Sequence, residues 1–125
     1  MGKVLDLKLR TILLVDDQDD CRLTTKWFLG TFGFVVECAR TAEEALAVFN
    51  PRIHDLVITD NSMPGMSGVE MAHVIKLRSA GTPVLMYSRH VPEDTSCLDM
   101  VIQRPVHLLR IKDAAERLLA DRIPA

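Results

Sequence analysis

The chain has 125 residues, 48% of them hydrophobic and 26% charged, with a net charge of −2, which points to one domain, since a single core is comfortable at about 100 to 150 residues. That charge balance, with Lys and Arg scattered and no basic run, argues against a nucleic-acid surface. No apolar stretch approaches a membrane span, and Met1 to Arg10 carries charge throughout without a signal-peptide core, so a cytoplasmic location is expected.

Residues 1–10 alternate Val4, Leu5, Leu7 and Leu9 with Lys3, Asp6, Lys8 and Arg10, and read as an N-terminal extension that either prolongs the first strand or decorates it. Thr11 to Val15 is short, apolar and β-branched, as a buried strand should be. The acidic turn Asp16-Asp17-Gln18-Asp19-Asp20 then starts a helix, whose positive N-terminal end favours carboxylates, with Leu23, Trp27 and Phe28 as its inward face and Gly33 as its close. Phe34 to Cys38 reads as a second strand. Thr41-Ala-Glu-Glu44 is a capping box before Ala42, Ala45, Leu46 and Phe49 at helical spacing, and Pro51 stops that helix. Leu56 to Thr59 is a third strand ending at Asp60, and Pro64, Gly65 and Gly68 punctuate the loop after it. Ser67-Gly-Val-Glu70 caps a helix that buries Met71, Val74 and Ile75 and stops near Gly81. Pro83 to Tyr87 and Met100 to Ile102 read as fourth and fifth strands, and Leu108, Ile111, Ala115 and Leu118 mark a closing helix. Between Ser88 and Arg104 the pattern offers a turn of helix at most. Strands alternating with helices predict an α/β fold with a parallel sheet, because parallel strands need crossover connections.

In a doubly wound sheet of order 2-1-3-4-5, ligands bind outside the carboxyl ends of strands one and three. Those strands deliver Asp16, Asp17 and Asp60. Crowded carboxylates resist ionisation unless a cation joins them, and a small hard cation with oxygen ligands, Mg²⁺ above all, fits this set. Ser88 and Arg104 end strands four and five, so a hydroxyl and a fixed positive charge face the same edge. Nucleophilic carboxylate, metal, hydroxyl and cation together make a phosphoryl-transfer site. The remaining reactive side chains read blandly. Cys21, Cys38 and Cys97 follow no CxxC spacing and look like buried or idle thiols, while His54, His73, His90 and His107 have no metal-ligand spacing and look like surface or core histidines.

The paired acids in Leu-Leu-Val-Asp-Asp17, the run Asp60-Asn-Ser-Met-Pro-Gly-Met-Ser-Gly68, the strand Pro83-Val-Leu-Met-Tyr-Ser88 and the pair Arg104-Pro105 resemble, in order, the signatures of the receiver domains of two-component response regulators. The resemblance covers roughly residues 10 to 120 and gives a domain over 11–121 with the flavodoxin-like order 2-1-3-4-5. It implies that Asp60 is the phospho-acceptor, Asp17 a direct Mg²⁺ ligand, Asp16 an acid acting through bound water, the Ser62 carbonyl a further ligand and Ser88 the switch hydroxyl. Arg104 takes the place of the family's lysine, and its bond to Pro105 should be cis. The implied partners are a histidine kinase or phosphotransfer protein and an output partner, with a homodimer among the arrangements allowed. Such a domain is an acceptor rather than a turnover enzyme.

Departures from the family pattern are concentrated after the fourth strand. Arginine keeps the lysine's charge but is longer and planar, and its bland reading is a surface residue after a strand. Val101 stands where an aromatic switch residue is usual, and the Ser88 to Arg104 segment is too short for a full fourth helix. Arg89 either screens the acceptor or points outward. These changes keep a second class of function in view, a phosphate-independent binding module. A phosphohydrolase with a nucleophilic aspartate is less well matched, because Ser62 stands where its second acid belongs, and an electron carrier less still, because acids would repel a cofactor phosphate.

Overall fold

A computed structural model describes residues 10–120; the N-terminal alternation lies outside them apart from Arg10. Five strands run in parallel in the order β2-β1-β3-β4-β5, namely β1 Thr11–Val15, β2 Val35–Ala39, β3 Leu56–Thr59, β4 Val84–Ser88 and β5 Met100–Gln103. The crossovers carry α1 Asp19–Gly30, α2 Ala42–Val48 and α3 Gly68–Arg78, and α4 Leu108–Ala120 follows β5. The doubly wound sheet expected from the alternation is therefore present. No helix joins β4 to β5, so the segment with a failing pattern is an irregular connection, with one turn closed by the Leu98 N–H on the Thr95 carbonyl.

Strand periodicity divides the buried residues between two cores, because successive side chains point to opposite faces of a sheet. Ile12 and Leu14 of β1 join Leu56, Ile58, Leu85 and Ile102 beneath α1 and α4, with Leu29, Ile111 and Ala115 supplied by those helices. Leu13, Val15, Val57 and Val84 face the other way, against Ala42, Ala45, Met71 and Ile75 of α2 and α3. Cys97 and Leu98 pack on the edge of this second core, where the helix-free segment crosses it. Residues 56 to 59 are wholly buried, as a continuous apolar run in a central parallel strand should be.

The inward face of α1 differs from the sequence expectation. Leu23 and Trp27 are 56% and 69% exposed, Phe28 is half-buried, and the buried stripe is Arg22, Thr25 and Leu29. The cause is Arg22, whose guanidinium donates to the Asp16 carbonyl at 3.0 Å and to Asp19 Oδ1 at 2.6 Å. Turning Arg22 inward rotates the apolar pair one position outward. The helix also ends at Gly30, three residues before Gly33, where Thr31 caps it and its hydroxyl donates to the Phe28 carbonyl. Gly33 instead serves the turn into β2 with φ of 94°, a conformation that disfavours any side chain.

Of the two capping boxes, the second is complete: Ser67 and Glu70 exchange side-chain and backbone bonds. In the first, Thr41 Oγ1 accepts from the Glu44 N–H, but the Glu44 carboxylate reaches one residue further back, to the Arg40 N–H at 3.0 Å. The fourth strand starts at Val84, one residue later than expected, and ends at Ser88, which pairs with Gln103.

Candidate functional site: an acidic pocket at the switch point

The ladder brings the acids to one level. Val15 pairs with Thr59, so Asp16 and Asp60 leave adjacent strands side by side, and their backbone N–H groups continue the ladder to the Ala39 and Val15 carbonyls. Asp16, Asp17 and Asp60 each offer a carboxylate oxygen, and these oxygens lie within 4.8 Å of one another. Asp16 is buried, its Oδ1 accepting from the Gln18 N–H at 2.9 Å and its Oδ2 from Arg104 at 2.8 Å. Asp60 Oδ1 accepts from the Asn61 N–H at 2.7 Å, and its Oδ2 and the Asp17 carboxylate have no partner among the described residues. The Asp17 carboxylate and one oxygen of Asp60 are thus uncommitted, while both oxygens of Asp16 are held by the protein.

Arg104 is no surface arginine. Its side chain is 11% exposed against 3% for Asp16, and the guanidinium lies 4.1 Å from the Tyr87 ring centroid. Burial opposes its charge, but the bond to Asp16 and the fields of Asp16 and Asp60 outweigh burial and leave its pKa raised. Its buried Nε–H has no acceptor among the described residues. The Arg104-Pro105 bond is cis, as the resemblance implies.

Ser88 is buried, two residues beyond Met86, the ladder partner of Thr59. Its Oγ accepts a long 3.4 Å bond from the His90 N–H, and its own proton has no acceptor among the described residues. Ser62 is exposed. Arg89 is exposed and engages through its carbonyl, which accepts from Gln103. His54 is a core residue, its Nδ1 accepting from the Asn50 N–H and its Nε2 2.6 Å from Glu37 Oε1.

Three residues that shape the pocket were not among the sequence candidates. Arg22 holds the Asp16 carbonyl from α1. Asn61 grips the start of α3 with its backbone carbonyl on the Gly68 N–H and its side-chain oxygen on the Val69 N–H. Gly68 permits that approach, since a Cβ there falls 2.1 Å from the Asp60 carbonyl oxygen. An asparagine directly after the acid was the available signal, because Asn side chains habitually bond nearby backbone.

A parallel sheet with this pocket at its switch point defines a flavodoxin-like domain carrying an oxygen-rich site suited to a hard cation. Residues 12–106 match the response regulator receiver domain, and the chain belongs to that family of signalling domains. A putative transcriptional regulator of Haloferax volcanii is 31% identical over 114 residues, 88% of this chain and 19% of that protein. A response regulator receiver protein of Anaeromyxobacter is 31% identical over 111 residues, 84% of this chain and 47% of that protein. The chain thus spans less than half the length of either relative. Among solved structures, the response regulator TrrA of Thermotoga maritima, in complex with Mg²⁺ and BeF, superposes with a TM-score of 0.83 at 27% identity, covering 88% of this chain and 99% of that one. TrrA in complex with the histidine kinase ThkA matches with a TM-score of 0.81 at 30% identity, over 89% and 99%.

Proposed function

We propose that Asp60 accepts a phosphoryl group from the phosphohistidine of a kinase or phosphotransfer protein. The observation that carries this reading is the three-acid cluster with a buried cation already bonded to one member. The Asp60 carboxylate attacks phosphorus, an aspartyl phosphate forms, and the bond to the donor imidazole breaks with its electron pair returning to the ring. Ser88 donates its unengaged hydroxyl to a phosphoryl oxygen, and Arg104 adds N–H donors in fixed planar geometry. Arg22 and Asn61 hold the backbone on either side still, so the acceptor needs no rearrangement as charge builds.

The donor set also suits Mg²⁺. Asp17 and Asp60 would hold it directly, with the Ser62 carbonyl as a further ligand, and Asp16, both of whose oxygens are engaged, would act through water. When bound, the ion neutralises the crowded acids and the phosphoryl oxygens. The domain is consumed and restored as an acceptor rather than turning over an external substrate. On this reading the receiver unit is 11–121 behind a 1–10 extension, and three free thiols suit a cytoplasmic setting. Output passes from Ser88 into the helix-free segment, the element best able to change order.

Intact-mass spectrometry after incubation with acetyl phosphate and Mg²⁺ tests the proposal. Wild type should gain one phosphoryl group and Asp60→Asn none. Modification that persists in the variant moves the acceptor elsewhere, and an unmodified wild type leaves the phosphate-independent module.

A further inference from the structure

His73 on α3 and Asp94 and Cys97 in the helix-free segment form a second constellation, separate from the acidic pocket. Cys97 Sγ lies 3.3 Å from His73 Nδ1, and His73 Nε2 lies 2.8 Å from Asp94 Oδ2. Ser96 completes the group by donating its N–H at 3.0 Å and its hydroxyl at 2.6 Å to Asp94 Oδ1. The Ser96 hydroxyl first, then its N–H and then the imidazole hold the Asp94 carboxyl down at about 2, so it is an anion at any ordinary pH. An ionised carboxylate only accepts, which puts the shared proton on His73 Nε2. With Nε2 protonated, Nδ1 turns a lone pair toward the Cys97 thiol.

Nucleophile, base and orienting carboxylate therefore stand in the sequence that activates a thiol. The group is reachable, with the His73 and Asp94 side chains 46% and 49% exposed and Cys97 partly exposed. Neither of the other thiols has such company. Cys21 Sγ lies 3.6 Å from the Gln18 amide oxygen, which takes no proton, and burial pushes the Cys38 thiol up.

We propose that Cys97 is a modification site whose thiol, deprotonated by His73, exchanges with low-molecular-weight disulfides. The thiol proton passes to Nδ1, and the thiolate attacks one sulfur of the disulfide. The mixed disulfide forms as the reagent's S–S bond breaks, and the departing thiolate takes the proton from Nδ1. Cys97 is oxidised and half of the reagent is reduced, so no other redox partner is required. An adduct on Cys97 cannot keep both its packing on the second core and its contact with His73. Modification thus releases residues 94–98 from α3.

The test treats the intact chain with oxidised glutathione at neutral pH and follows all three cysteines in one sample by peptide mass spectrometry. Cys97 should react about tenfold faster than Cys21 or Cys38, since only Cys97 has a base within reach of its proton. His73→Gln should slow Cys97 about tenfold while leaving Cys21 unchanged, with circular dichroism confirming the fold. Asp94→Asn, at an exposed position, should slow Cys97 about threefold by loosening the tautomer, with circular dichroism again confirming the fold. A Cys97 rate no faster than Cys21, or one that neither variant lowers, overturns the assignment.

Discussion

Arg104 combines two contacts that a lysine could not make together, a bond to Asp16 and a stack against Tyr87, because only a planar guanidinium offers both a face and a fork of donors. Gly68 is the second residue on which the pocket turns. A Cβ there meets the backbone oxygen of Asp60 rather than a flexible side chain, so relief requires the acceptor loop to move. Gly68→Ala should cost about 2 kcal/mol in urea unfolding, as overpacking does, and should slow phosphoryl uptake. A variant as stable as wild type would mean the loop yields freely. Asp16, Asp17 and Asp60 were legible because acids after buried strands stand out in sequence. Arg22 was not, and Asn61 and Gly68 showed only as members of the run 60–68 without their roles, because each acts on backbone atoms that only the folded chain brings near.

Among the elements, α1 shows how a buried cation overrides an apolar pattern. Leu23 and Trp27 sit four residues apart and look like a core stripe, yet Arg22 claims the inward position and leaves Leu29 as the fully buried anchor. Leu29→Ala should therefore lower unfolding free energy by about 3 kcal/mol, whereas Leu23→Ala should change it by less than about 0.5 kcal/mol. Equal losses in urea titrations would restore the apolar face. The strands were legible almost to the residue, since continuous apolar runs bounded by turn residues have few other readings. The β4–β5 connection was legible as a gap in pattern. What holds it down was not: Asp99 Oδ2 accepts from both Lys76 and the Val84 N–H, and His73 meets Asp94 and Cys97 from α3, partners more than a dozen residues away in the chain.

Across the whole molecule, the order β2-β1-β3-β4-β5 places the earliest strand in the interior, between β2 and β3, and the latest at an edge. The first three strands, with the acids that follow β1 and β3, form one contiguous half-sheet drawn from residues 11 to 59. The cation bonded to Asp16 arrives from the far end, 88 residues along the chain. Closing so long a loop is entropically expensive, so contacts of this separation belong late in assembly. Arg104 is then a kinetic clasp. Arg104→Met, which strands a buried carboxylate, should cost about 3 kcal/mol and shorten the native-state lifetime by roughly two orders of magnitude while leaving the refolding rate within about twofold. Stopped-flow chevrons separate the two limbs, and slowed refolding with an unaltered lifetime would place the contact early instead. The residue proposed to steady the phosphoryl group is on this account also the one that sets how long the native fold lasts once formed.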